Sequence, residues 1–131
     1  MANVDAAFGY RPIGKVGSGV NNAGVTLYTI GDNYATSIYK GDHVMQASGL
    51  VIAGTASGST NLGVFNGCFY IDPTSKKPTW SNYYSQVNVT ASGSISGGTT
   101  IDAYIYDDPY TLFEAQCDGT IAKTDIGKNT D

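Results

Sequence analysis

The chain predicts an all-β fold, a compact barrel or sandwich of short antiparallel strands, and three observations carry the prediction. Its apolar residues fall in short runs rich in Val, Ile, Tyr and Phe, broken by clusters of Gly, Asn, Asp and Ser. Glycine accounts for 17 of 131 residues, almost double the usual share of about 7%. Charged residues make up only 14%, well below the roughly 25% of ordinary soluble proteins. Little charge and many small polar residues favour sheets with many turns. At 131 residues the chain is one domain by size, able to bury a core without metals or several disulfides. No unit of about 20–50 residues repeats, which excludes a solenoid.

Met1–Ile13 places Val4, Phe8, Tyr10 and Ile13 among small residues. Neither the 3.6-residue spacing of a helix nor the alternation of a strand is present. Pro12 fixes its own φ and pushes Arg11 into the extended region, while Gly9 lets the backbone turn. Residues 1–15 therefore read as an extended N-terminal arm and 16–131 as a single β-domain. Such an arm needs a surface, either the edge of its own domain or another protein.

Gly14–Gly24 is loop by composition, and Val25–Ile30, β-branched and aromatic, is a strand. After a turn at Gly31–Asn33, Ser37–Lys40 leads through Gly41 and Asp42 into His43–Ala47, which predicts a strand pair around Lys-Gly-Asp. Leu50–Ala53 is a further short strand, and Gly54–Asn61 is a loop without large side chains. Leu62–Ile71 is the strongest apolar segment, with a tight turn or bulge at Asn66–Gly67. Asp72–Asn82, with two prolines and the sole Trp, reads as an excursion at one end of the sheet. Tyr83–Ala91 alternates loosely as a strand, and Ser92–Thr100 is a loop or hairpin. Ile101–Tyr106 alternates cleanly, Ile101, Ala103 and Ile105 against Asp102, Tyr104 and Tyr106. Asp107–Pro109 turns it and Tyr110–Cys117 returns, the best hairpin in the chain and the expected core nucleus. Thr120–Asn129 suggests one helical turn, with Thr124 as cap and Gly127 as stop.

Candidate chemistry is sparse. A formal net charge of −4 argues against a nucleic-acid partner. No run approaches the ~20 apolar residues of a membrane span, and no basic-then-apolar secretion signal opens the chain, so assembly in a cytoplasm is expected. Cys68 and Cys117 fit neither a metal nor a redox spacing. Both are expected as small buried hydrophobes, with a late disulfide as the alternative. Nucleophilic catalysis would have to run through the single histidine, His43, but no GxSxG elbow accompanies it. A strand-edge role is expected instead. No HxxxH, CxxC or EF-hand loop suggests a metal, and neither a dinucleotide nor a P-loop glycine motif suggests a cofactor. Asp102, Asp107, Asp108 and Glu114 could supply a carboxylate pair, although adjacent acids before a proline read first as a solvated turn, then as a weak calcium site. Trp80, Tyr83 and Tyr84 form a candidate surface contact for a protein or a carbohydrate. The Asn88–Thr90 sequon carries no weight without a secretion signal. No enzyme is expected.

Both ends and one internal point carry a resemblance. Met1-Ala-Asn-Val-Asp-Ala-Ala-Phe-Gly-Tyr-Arg-Pro12, Tyr39-Lys-Gly-Asp-His-Val44 and Phe113-Glu-Ala-Gln-Cys-Asp-Gly-Thr-Ile-Ala-Lys-Thr-Asp-Ile-Gly-Lys-Asn129 resemble segments of the head decoration, or capsid cement, proteins of tailed bacteriophages. The match spans about a third of the chain, and its most specific part is the leader. Two departures stand out. Ala7 replaces an expected proline before Phe8, and the chain ends at Asp131 where such a protein is expected to run on. The resemblance implies a structural virion protein on the outer capsid surface, assembled in the host bacterial cytoplasm. Its partners would be the major capsid protein and further copies of itself, a trimer ahead of a dimer. Val4, Phe8, Tyr10, Arg11 and Pro12 would be the capsid-binding arm, Phe8 filling a pocket and Arg11 meeting a carboxylate. The alternative from another class is a carbohydrate-binding β-sandwich of a tail or adhesin, working through Trp80 and Tyr83.

Overall fold

The computed structural model describes residues 7–17, 19, 24–31, 34–54, 60–72, 75–85, 101–117 and 119–128, and over these the chain is all-β. Five strands close a barrel. In spatial order they are β4 (His43–Ala47), β5 (Leu50–Ala53), β2 (Thr26–Ile30), β9 (Ile101–Tyr106) and β6 (Thr60–Ile71), and β6 pairs back onto β4. All pairings are antiparallel except the short parallel contact of β2 with β5, where Ile30 faces Val51.

Closure depends on the length of β6. Its first half pairs with β4, from Gln46 opposite Thr60 to His43 opposite Val64. From Val64 onward it pairs with β9, and its far end, from Cys68 to Ile71, also pairs with β7 (Pro78–Ser81) on the other side. A strand that changes partners midway has to bend. The ladder to β9 slips between Phe65 and Gly67, so Asn66–Gly67 makes a bulge rather than a turn. A second irregularity lies opposite Val44 and Met45. Bulges concentrate twist and curvature in this way. At Gly63 a β-carbon would collide with the Tyr106 carbonyl oxygen, so only glycine lets β9 approach here.

The alternation read in β9 is the alternation observed. Ile101, Ala103 and Ile105 are fully buried, and they meet Ile30, Val44, Val51, Phe65 and Cys68 inside the barrel. One end of this core is plugged by a separate two-stranded ribbon of β3 (Ile38–Tyr39) and β8 (Tyr83–Tyr84). Its inward pair, Ile38 and Tyr84, is completely buried. The Tyr84 hydroxyl donates to the Tyr34 carbonyl at 2.8 Å, and the Tyr34 hydroxyl accepts the Ala53 amide at 2.8 Å. Burying these two tyrosines therefore leaves neither polar tip unpaired.

Three expectations about connectivity are corrected. The strands around Lys40–Asp42 do not form a hairpin. β3 goes to β8, while β4 takes β5 and β6. The turn is instead anchored to β6, by the Gly41 amide donating to the Phe65 carbonyl and the Phe65 amide donating to the Asp42 carbonyl. The Asp72–Asn82 excursion contains a strand, β7, returned along β6 by a turn in which Asp72 accepts the Ser75 and Lys76 amides. Pro78 opens that strand at its start, where a missing N–H is tolerated. Lastly, β10 (Thr111–Glu114) does not fold back on β9, because both edges of β9 are already taken by β2 and β6. It pairs with β1 (Arg11–Lys15) outside the barrel.

Of the Tyr83–Ala91 strand, only Tyr83–Tyr84 lies in the described sheet. Residues 86–100, and with them the Asn88–Thr90 sequon and the Ser92–Thr100 loop, lie outside the described residues, as do residues 55–59 of the loop after β5. β6 opens at Thr60, inside the expected loop. The helical turn near the C-terminus is a single 3-10 turn, Lys123–Asp125, and the residue that precedes it is Ala122, so Thr124 lies within the turn and does not cap it. Asp125 accepts the Ala122 amide there at 3.1 Å.

Candidate functional site

The predicted arm residues are brought together on the barrel's outer wall. In the β1–β10 ribbon Arg11 faces Glu114, Pro12 faces Phe113, Gly14 faces Leu112 and Lys15 faces Thr111, with a slip at Ile13. Alternation turns Phe113 and Thr111 toward the barrel and Leu112 and Glu114 away from it. Phe113 packs edge-on against Tyr106 of β9, with ring centroids 6.3 Å apart, and against Tyr10 at 6.5 Å. The Tyr106 hydroxyl donates to Asn66 Oδ1 at 3.2 Å, so the β6 bulge supports the wall on which the ribbon lies.

Before β1 the chain crosses the turn between β3 and β4 at two glycines. The Tyr10 amide donates to the Gly41 carbonyl at 2.8 Å. A β-carbon on Gly9 would lie 2.7 Å from that carbonyl oxygen, and one on Gly41 would lie 2.8 Å from the Phe8 carbonyl oxygen. Both glycines also have left-handed φ, +72° and +92°, which other L-residues adopt at a cost. The Gly9 signal seen in the sequence thus has a partner, Gly41, far along the chain. Of the two surfaces open to the arm, residues 8–15 lie on their own domain. Val4 is outside the described residues.

Arg11 is held from two sides. It forms an ion pair with Glu114, and its guanidinium stands 4.8 Å from the Phe8 ring centroid, a cation–π contact. At the other end of the ribbon Lys15 Nζ reaches Asp108 Oδ2 at 2.5 Å. The hydrogen bond from Lys15, with help from the Tyr110 amide, holds the Asp108 carboxyl below its ordinary value. Between arm and barrel lies a mostly apolar cavity of about 190 Å³, walled by Phe8, Tyr10, Pro12, Phe65 and Tyr106, with Arg11 and Lys40 also lining it. Along the ribbon, Phe8, Tyr10, Ile13, Val16, Tyr110 and Leu112 are exposed. The last four of these were not singled out by the sequence as contact residues.

A second exposed surface surrounds Trp80. Its ring lies over Gly67 and packs edge-on against Tyr104, with centroids 5.0 Å apart. Across the ladders Trp80 faces Phe69, and Tyr104 faces Leu27. Trp80, Phe69 and Leu27 are exposed, so with Tyr104 the stripe runs over four strands, β7, β6, β9 and β2, and the β6 bulge. Tyr83 is exposed as expected and stacks on Tyr39 at 6.0 Å with an interplanar angle of 23°. Tyr84 corrects the expectation of a surface contact, because strand alternation turns it inward beside Ile38 and it is fully buried. The outward phase of Tyr104 was readable from the β9 pattern. The joining of Trp80 to it was not.

Several titratable groups are engaged in structure. Asp107 accepts the Thr26 and Tyr28 hydroxyls, each at 2.8 Å. That hydrogen bond, more than burial or the carboxylate's charge, raises the Tyr28 pKa. His43 Nε2 shares a hydrogen bond with Asn61 Oδ1 at 2.6 Å. Cys68 is buried, its thiol pushed up to about 12 by desolvation, and its S–H donates to the Tyr83 carbonyl at 3.4 Å. Cys117, expected to be buried, is exposed, because among the described residues no element covers the chain after β10; both thiols are free. Among the described residues, no three His, Cys, Asp or Glu side chains are grouped to hold a metal ion. Among the described residues, the closed barrel carries two exposed apolar and aromatic surfaces, the ribbon and the Trp80 stripe. No family model matches the chain, and no curated protein or solved structure matches it either.

Proposed function

We propose that the protein is a capsid decoration protein of a tailed bacteriophage, binding the outside of the head and reinforcing joints between major capsid proteins. The observation that carries this reading is the β1–β10 ribbon, a two-stranded element docked on the barrel with Phe8, Ile13, Val16, Tyr110 and Leu112 exposed along it. The segments that resemble such proteins include the leader running into β1 and the stretch that begins at Phe113 of β10, so they meet in this one ribbon. Contacts of modest strength suffice when a shell repeats them many times, since avidity multiplies them. Stabilisation follows only if the protein binds the assembled shell better than its loose subunits.

The arm acts here through a strand rather than a free tail. Phe8 and Arg11 stand on its exposed side, and Arg11, already paired with Glu114, can exchange that exposed partner for a shell carboxylate at little cost. Tyr10 and Pro12 hold the strand against the barrel and set its pose. The test is to add purified protein to heads of the encoding phage that lack it and to measure occupancy by cryo-EM. The wild-type chain should coat them. Ile13→Asp with Leu112→Asp, both at exposed positions, should leave the barrel folded and reduce occupancy at least tenfold. Unchanged occupancy would refute the ribbon as the contact, and an uncoated head with wild-type protein would refute the function.

The Trp80 stripe favours a second reading, a carbohydrate-binding module, because an exposed indole flanked by Tyr104 and Phe69 presents the flat apolar surface on which sugar rings stack. A glycan array with a Trp80→Ala control separates the two readings, since decoration requires no glycan binding.

A further inference from the structure

We infer that copies of this chain join through the C-terminal turn of one and the arm pocket of the next, with Ile126 as the plug. This goes beyond shell binding and holds whether or not a shell is the target.

The donor element is exposed throughout. Residues 119–128 contain no buried side chain, yet they include Ile121 and Ile126, and Ile126, 77% exposed, is the most exposed large apolar residue among those described. The turn that presents it is nevertheless shaped. Asp125 accepts the Ala122 amide at 3.1 Å and pairs with Lys128 at 3.0 Å. An isoleucine at the tip of a braced turn, uncovered by its own domain, is a contact residue without its contact.

The acceptor is the cavity under the arm. Its volume of about 190 Å³ exceeds the roughly 150 Å³ that accommodates a benzene ring in an apolar cavity, so a branched aliphatic side chain fits. Its walls, Phe8, Tyr10, Pro12, Phe65 and Tyr106, are almost wholly apolar, and of the two cations that line it Arg11 is already paired with Glu114. Charge selects the same occupant. Lys40 lines the cavity and, among the described residues, pairs with no carboxylate, while the residue before Ile126 is Asp125. An aspartate next to an isoleucine meets a lysine next to an apolar pocket. The Asp125–Lys128 pair is exposed and exchangeable.

The turn does not enter its own pocket, since every residue in it is exposed. Its root lies close by, because Glu114 pairs with Arg11, so a neighbouring copy set around an axis receives it easily. Such a contact is head-to-tail, which makes a ring where its rotation closes and a filament where it does not.

The experiment uses the full chain in a Cys117→Ser background. Phe8→Cys chains are mixed with Ile126→Cys chains under mild oxidation, while sedimentation measures association of the wild type, Ile126→Asp and Lys40→Glu. The proposal expects disulfide-linked pairs only in the mixture, and association weakened roughly tenfold or more by Ile126→Asp with unchanged far-UV circular dichroism. Lys40→Glu should weaken it less, and adding Asp125→Lys to Lys40→Glu should restore part of the loss. A wild type that stays monomeric overturns it, as does an Ile126→Asp chain that associates normally. A chain carrying both cysteines that closes only within itself also overturns it. None of these outcomes depends on head occupancy, so failure here and failure of the decoration reading remain separate.

Discussion

Strands β9 and β10 are joined by one short turn and live in opposite surroundings. β9 is paired along both edges, with β2 and with β6, and sends Ile101, Ala103 and Ile105 into the barrel. β10 is paired, among the described residues, only with β1, and sends Leu112 and Glu114 away from the barrel while Phe113 rests on Tyr106. The first is enclosed on both edges, and the second leaves Leu112 exposed. With both edges of β9 filled by β2 and β6, the strand that follows it leaves the sheet, and of its apolar residues Phe113 packs on the barrel while Leu112 stays exposed.

If that division holds, the two regions should respond to truncation very differently. Phe65 is fully buried at the bulge where β6 changes partners. Phe65→Ala should cost about 3–5 kcal/mol of unfolding free energy, read from urea denaturation midpoints. Leu112→Ala, at an exposed position, should stay within about 0.5 kcal/mol. Comparable losses at the two sites would mean that the ribbon belongs to the cooperative core.

A smaller effect should detach the arm and spare the barrel. Gly9→Val puts a branched side chain where a β-carbon already lies 2.7 Å from the Gly41 carbonyl oxygen, at a φ of +72°. Strain of this kind is worth about 1–3 kcal/mol, and it falls on the crossing rather than on the core. Hydrogen exchange should show the Tyr10 amide, which donates to Gly41, losing protection, while the amides of β9 keep theirs. Loss of protection in both would show that the arm and the barrel unfold as one unit.

The comparison also explains what could be read from the sequence. β9 was legible because its pattern of period two is imposed by a core on one side only, and Asn66–Gly67 was legible as a break, a tight turn or a bulge, which the unbroken strand β6 resolves as a bulge. The two hairpins drawn around Lys40–Asp42 and Asp107–Pro109 were not. The turn chemistry there is real, with Asp42 accepting the Tyr39 amide and Asp108 accepting the Tyr110 amide. Local turns, however, do not decide which strand edges are already filled. Tyr83 and Tyr84 look alike in sequence and differ by one residue of phase, which buries one and exposes the other. The arm's Gly9 and Pro12 were visible, but the surface they fit is made by Gly41 and Phe113, and no local pattern points to either.

The smallest effect concerns how the ribbon is pinned to the turn that launches it. Lys15 hydrogen bonds to Asp108 and holds its carboxyl below the ordinary range. A carboxyl with a folded pKa below its unfolded one binds fewer protons when folded. Its stabilising contribution is thus fully present above the unfolded value of about 4 and disappears as the pH falls through the lowered folded value. The chain should therefore lose a little stability between about pH 4 and the acid limit through this pair. Lys15→Met should flatten that part of the profile, as should Asp108→Asn, which keeps an acceptor for the Tyr110 amide. Because both partners are partly exposed, added salt should shrink the effect. Thermal unfolding from pH 2 to 7 at low and high salt measures it. An acid limb of the same slope in all three proteins would place the pH sensitivity outside this pair, and the ribbon would then be held by its backbone ladder and by Phe113 on Tyr106.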